Sequence, residues 1–135
     1  MKTLEKNTAE ILIDPDVPAS DKELYQLLIG KSVPNQIYHH IVLFKFTDVS
    51  DIEQADCMQA CAALETLCGG KDAGILSYKV ERNFDSRKSW YFAEMVDFRD
   101  SDAFIAFHQH DDHKKFASKL REFGVRIEWA VFDYQ

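Results

Sequence analysis

No apolar run in this chain approaches the roughly 18 residues of a membrane span. There is no basic stripe and no Cys-x-x-Cys pair. The opening residues, Met1-Lys2-Thr3-Leu4-Glu5-Lys6, lack the apolar core of a secretory signal. These absences predict a cytoplasmic protein that does not enter a membrane. A formal net charge of −7 argues against a nucleic-acid backbone or an anionic membrane surface as the main partner. Cysteine is scarce and odd in number: Cys57, Cys61 and Cys68 are the whole complement, which fits reduced thiols. With Leu64 they fall at spacings of four, three and four, a single helical stripe. Free cysteines on such a stripe behave as small buried hydrophobes. A redox or metal site would call for a Cys-x-x-Cys pair.

The chain is 135 residues long, 46% hydrophobic and 13% aromatic, enough for one domain, or one domain with an arm, around a real core. Ten Phe supply large buried surfaces, each of about 150–250 Å². Residues 37–135 are the expected domain and 1–36 an N-terminal extension with a short helix. The five histidines sit in two short stretches, His39-His40 and His108 to His113. Imidazole titrates near neutrality, so these stretches are the place to look for proton chemistry or metal.

In the extension, Ile11-Leu12-Ile13 is a short apolar stretch, and Asp14-Pro15-Asp16-Val17-Pro18 breaks regular structure. Ser20-Asp21-Lys22-Glu23 is a capping-box pattern. It predicts a helix over 21–29 that stops at Gly30, with Leu24, Leu27 and Leu28 on its apolar face. An arm of this length can cover a cavity mouth or hold a partner subunit.

Residues 37–46 form the first expected strand. His40, Val42, Phe44 and Phe46 share one face; His39, Ile41, Leu43 and Lys45 share the other. Both faces are largely apolar, so both are expected to be covered. Ser50-Asp51-Ile52-Glu53 is a second capping box, opening a helix that stops at Gly69-Gly70. Residues 74–84 and 88–98 are two strands joined at Asp85-Ser86-Arg87. Leu76, Tyr78, Val80, Arg82 and Phe84 share a face of the first. Trp90, Phe92, Glu94, Val96 and Phe98 share a face of the second. Glu94 is the acid on that apolar face. If covered, it must be paired, hydrogen-bonded or protonated; at a rim it would be an ordinary salt-bridge residue. Asp100 or Ser101 caps a further helix, which Asp111-Asp112 interrupts. A second helical piece over 112–123 ends at Gly124. Residues 125–134 close the chain as a strand.

The order strand, helix, strand, strand, helix, strand is the split βαβ pattern. It predicts an α+β, ferredoxin-like protomer with a four-stranded antiparallel sheet. Helices cover one sheet face. The other is expected to meet a second copy, giving a homodimer that closes an α+β barrel. Alternation alone does not say which face carries His40.

At this point the chain resembles the stress-responsive A/B barrel family, a branch of the dimeric α+β barrels. His40-Ile41-Val42-Leu43-Phe44-Lys45-Phe46 resembles its first strand. His110-Asp111-Asp112-His113 resembles its His-Pro-x-His segment, with Asp111 in the proline's place. Val131-Phe132-Asp133-Tyr134 resembles its closing strand. Together these span residues 37–135. The resemblance implies a homodimer. In some relatives it also implies a cyclase for linear polyketides that uses no metal or organic cofactor. In those relatives a histidine matching His113 is the general base, helped by a strand histidine matching His40 and a tyrosine where this chain has Phe107.

His40 and His113 are therefore the candidate catalytic pair, a cofactor-independent base and donor acting on a small carbonyl or polyketide-like compound. The ligand is expected in the barrel interior against Phe107, Tyr78, Phe92 and Trp90. The alternative is a non-catalytic ligand-binding or stress-response protein, in which His110 and His113 fix the interrupted helix and His40 is a satisfied interior group. A metal reading exists, since His110 and His113 are three apart with Asp111, Asp112 or His108 nearby. Adjacent Asp residues at a helix start are ordinary caps, and no metal is expected.

Overall fold

The computed structural model describes residues 13–135, so Ile11 and Leu12 of the first apolar stretch lie outside the described residues. Strands β1 (Tyr38–Phe46), β2 (Ile75–Arg82), β3 (Trp90–Phe98) and β4 (Ile127–Tyr134) form one antiparallel sheet in the order β2-β3-β1-β4. The helices are α1 (Ala19–Lys31), α2 (Asp51–Ala62), α3 (Leu64–Leu67), α4 (Ser101–His108) and α5 (Asp111–Glu122). From β1 onward this is the ferredoxin-like split βαβ arrangement.

Local chemistry sets the boundaries. Ser50 Oγ accepts from the Glu53 amide at 3.2 Å, starting α2. Asp100 Oδ1 accepts from the Ala103 amide at 2.9 Å, starting α4. Gly69, with φ 103°, reverses the chain after α3, where an added Cβ would meet Ala73 Cβ at 2.8 Å. The break expected at Asp111-Asp112 falls at Gln109-His110, and His110 caps α5 by accepting the Asp112 amide on Nδ1 at 3.1 Å.

The first helix departs from expectation. It starts after Pro18, whose carbonyl accepts the Asp21 and Lys22 amides, and no side chain caps it. It runs through Gly30 to Lys31 and is closed by Ser32, whose amide and hydroxyl both donate to the Leu28 carbonyl. Its inward residue is Tyr25, 0% exposed, whereas Leu27 is 52% exposed.

The buried sheet face carries Tyr38, His40, Val42 and Phe44 of β1 and Phe92, Glu94, Val96 and Phe98 of β3. Phe44 and Phe92 stack at 4.5 Å, and Tyr38 stacks on Phe104 of α4 at 4.9 Å. Each such ring contributes on the order of 1.5–3 kcal/mol by leaving water. Cys57, Cys61, Leu64 and Cys68 are buried against this layer, as their spacing requires, and the thiols are free. Burial pushes Cys57 and Cys68 up to about 11, so they pack rather than react.

Two register shifts break the alternation assumed above. One lies between Ile75 and Ser77, so Ile75 joins Tyr78 on the helix-covered side. The other pairs Phe44 with Phe92 but Lys45 with Trp90. The Trp90 ring accordingly lies under the Lys45 ammonium at 5.0 Å, away from Phe92 and Glu94. Phe84 is fully exposed beyond the end of β2.

The opposite sheet face carries half-buried Ile41, Leu43 and Met95, with Phe132 67% exposed and Tyr134 exposed. His39 is on this face. It hydrogen-bonds Asp97 at 2.7 Å and stacks on Tyr134 at 4.4 Å.

Candidate active site

Register settles which side carries His40. It pairs with Val96 on β3 and Asp133 on β4, and its ring enters the layer between sheet and helices, packing 4.9 Å from Phe104. His40 Nδ1 lies 2.7 Å from Asp133 Oδ1 and donates to it. Asp133 is held from its other oxygen by the Tyr38 hydroxyl at 2.7 Å. His40 Nε2 lies 3.6 Å from Glu94 Oε1, an ion-pair distance longer than a hydrogen bond. Glu94 Oε2 is 2.6 Å from the Tyr78 hydroxyl, which is also 2.6 Å from the Cys61 carbonyl. Glu94 is 3% exposed.

A histidine flanked by two carboxylates is held charged. Burial alone would lower its pKa. The Asp133 hydrogen bond and the Glu94 carboxylate outweigh burial and push His40 up to about 9. Glu94 is the reciprocal case: burial raises it, but the His40 imidazolium and the Tyr78 hydroxyl hold it below the usual carboxylate range.

The first turn of α5 brings His113 to the same layer, its ring 4.9 Å from both Phe107 and His108. Here burial dominates and neighbouring histidines add to it, pushing His113 down to about 3. Burial lowers His108 as well. Its Nδ1 is 2.7 Å from the hydroxyl of Tyr25 on α1.

These groups meet in one cavity of about 520 Å³ between sheet and helices. His40, Glu94, His108 and His113 line it, with Phe44 and Trp129 among the apolar walls. Asp16, Val17, Pro18, Asp21 and Tyr25 line it from the N-terminal segment. That segment is pinned by the Asp14–Lys114 ion pair at 2.6 Å and by the Asp14 amide donating to Gln109 at 3.1 Å. A volume near 520 Å³ suits a small organic molecule.

His40 and His113 are thus brought together, but under the helices rather than on the sheet face that a barrel would enclose. The four expected binding residues fall elsewhere, and none lines this cavity. Phe107 is buried behind His113, with Phe98 at 5.2 Å. Tyr78 sits beneath Glu94 and supports it. Phe92 is covered by Phe44. Trp90 is displaced by the register shift. Of the two carboxylates beside His40, Asp133 becomes a neighbour only through strand register and carries no sequence signal, whereas Glu94, an acid on an apolar face, is paired and hydrogen-bonded as its place requires. Tyr25 was missed because leucines nearby fit a helical face equally well. Among the described residues, no group of three or more His, Cys, Asp or Glu side chains is gathered so as to hold a metal ion. His110 serves α5 as its cap.

Known proteins agree with this architecture. A protein of unknown function with a ferredoxin-like fold from Bacteroides fragilis, described as dimeric, is 26% identical. The match covers 73% of this chain and 95% of that one, with a TM-score of 0.61. Hydroxynitrile lyase from Passiflora edulis is 18% identical over 75% of this chain and 94% of its own, with a TM-score of 0.59. A Dabb family protein from Mesorhizobium loti is 20% identical over 73% and 95%, with a TM-score of 0.54. No curated protein matches the sequence significantly. The family model described as Stress responsive A/B Barrel Domain matches residues 38–135, and the chain belongs to that family.

Proposed function

We propose that this protein is a proton-transfer enzyme acting on a small carbonyl compound held beneath the helices. The observation that carries this is geometric. His40, set between Asp133 and Glu94, and His113, buried beside Phe107 and His108, line one cavity. These surroundings raise the pKa of the first and lower that of the second. Environments that push two titratable groups apart assign an acid and a base. His113 is the base: its neutral imidazole takes a proton from the carbon beside the carbonyl. Because burial makes it a weak base, the step leans on stabilisation of the enolate oxygen. The C–H pair becomes the C=C bond, and the carbonyl π pair moves to oxygen. His40, charged at neutral pH, donates from Nε2 to that oxygen. The Glu94 carboxylate favours the imidazolium that forms on His113. The enolate can then be reprotonated, or can attack a second carbonyl in the same molecule, the step a cyclase needs. The protons move between side chains and substrate, so no cofactor is called for. We also propose that two copies pair through the exposed face carrying Ile41, Leu43 and Phe132, leaving one such cavity per protomer.

The test is loss of α-proton signal in deuterium oxide, followed by NMR over a panel of small ketones and 1,3-diketones. The expected result is exchange faster than the buffer rate for at least one compound. Compounds that raise the melting temperature without any exchange would instead favour a ligand-binding protein.

A further inference from the structure

Tyr25 is more than a plug for the cavity. It precedes the family-matched residues, which begin at 38. It lines the cavity, is 0% exposed, and is the tyrosine among the lining residues. A helix that only covered the site would do so better with Leu or Phe, because a buried hydroxyl costs free energy unless it is hydrogen-bonded. This one is spent on His108 Nδ1 at 2.7 Å, and the rings meet edge to face at 5.6 Å. We propose that Tyr25 is a positioning residue of the active site, holding His108 in the neutral Nε2–H tautomer from outside the family domain.

Burial keeps the Tyr25 phenol protonated well above its usual range, so the phenol is the donor. A neutral imidazole has one donor and one acceptor nitrogen. With Nδ1 accepting from Tyr25, the ring proton must sit on Nε2. Two consequences follow. His108 carries no charge beside His113, whose ring is 4.9 Å away. His108 lines the cavity, so its Nε2–H is a candidate donor beside that of His40 for a ligand with two oxygens such as a 1,3-diketone. The ionisable groups acting on His108 come from every side: Asp21 on α1, His40 on β1, Glu94 on β3, Asp133 on β4 and His113 on α5. The acids favour a charged His108 and the histidines oppose it, so removal of the phenol shifts a balance rather than a lone group.

The proposal rests on the proton-transfer reading for its kinetic consequence but not for its spectroscopic one. In the full chain with ¹⁵N-labelled histidine, the wild type is expected to show His108 with Nδ1 unprotonated and Nε2 protonated. Tyr25→Phe keeps the ring packing and removes only the hydroxyl. It is expected to give mixed tautomers at His108, and a roughly tenfold lower kcat for diketone exchange with KM nearly unchanged, less than the roughly 10²–10⁴-fold of a group that itself transfers a proton. Leu27→Ala, exposed on the same helix, should change neither. An unaltered His108 tautomer in Tyr25→Phe would overturn the proposal, whatever the kinetics. If no compound exchanges in the wild type, the proton-transfer reading falls and the spectra alone decide the role of Tyr25. Should Tyr25→Phe fail to fold, His108→Gln removes the same contact from the other side, and an unchanged kcat there would overturn the proposal.

Discussion

Replacing Glu94 by alanine is expected to lower folding stability by about 3–5 kcal/mol, the usual cost of removing one partner from a buried ion pair. The size follows from what the change leaves behind. His40 is 4% exposed and held charged between Asp133 and Glu94, so deleting Glu94 strands part of a buried positive charge. The Tyr78 hydroxyl also loses an acceptor at 2.6 Å. Typical domains are stable by only about 5–15 kcal/mol, so the variant should unfold at far lower urea at the same protein concentration. Glu94→Gln keeps the hydrogen-bonding shape but not the charge; it should lose less stability and return the His40 pKa toward 6.5. Lys115→Ala, whose exposed ammonium reaches Asp112 only at 4.0 Å, should leave the midpoint in place. A Glu94→Ala midpoint equal to wild type would refute the ion-pair assignment.

The same network sets a sign for pH. His40 is raised, so its contribution is complete below its unfolded value near 6.5 and is lost as pH rises through about 9. Glu94 is lowered, so its contribution is present above its unfolded value near 4.5 and is lost as pH falls through its folded one. His113 is lowered too: the unfolded chain binds its proton first, so stability falls as pH drops from 6.5 toward 3. Stability should therefore be greatest between these limits, and turnover should fade on the alkaline side as His40 loses its proton near 9.

The second large effect is on turnover. His113→Ala is expected to slow α-proton exchange by about 10²–10⁴-fold, the usual contribution of a positioned general base. KM should change little, because the lost interaction belongs to the transition state. Added imidazole should restore part of the rate by occupying the space left behind. The substitution removes a buried neutral ring from beside Phe107 and His108, so stability should drop modestly while the fold persists. Full activity in His113→Ala would remove the base assignment.

Much of this fold could be read from the sequence for local reasons. Ser50 and Asp100 accept the amides that their positions predict, and the Cys57, Cys61 and Cys68 stripe is buried. Where alternation failed, it failed at register shifts. Trp90 and Ile75 each changed faces, because one unpaired residue reverses every assignment beyond it. The site was harder to read than the fold. His40 and His113 share a cavity, but their neighbours come from strand pairing and helix docking, which no local pattern encodes. Asp133 lies 93 residues from His40 in sequence, and Tyr25 lies 83 from His108. Glu94 was the exception, since an acid among apolar residues marks itself. Phe107, with no hydroxyl, ended as the wall behind His113, and the phenol that reaches the cavity comes from α1.

The proposed chemistry requires one cavity to hold a charged and a neutral histidine at the same pH. A ¹⁵N NMR titration of the histidine-labelled full chain between pH 4 and 10 measures it directly. His40 is expected to stay doubly protonated until about pH 9, and His113 to stay neutral to the acid end of the range. If both rings titrate together near 6.5, the acid and base assignments fail, and the proposed chemistry fails with them.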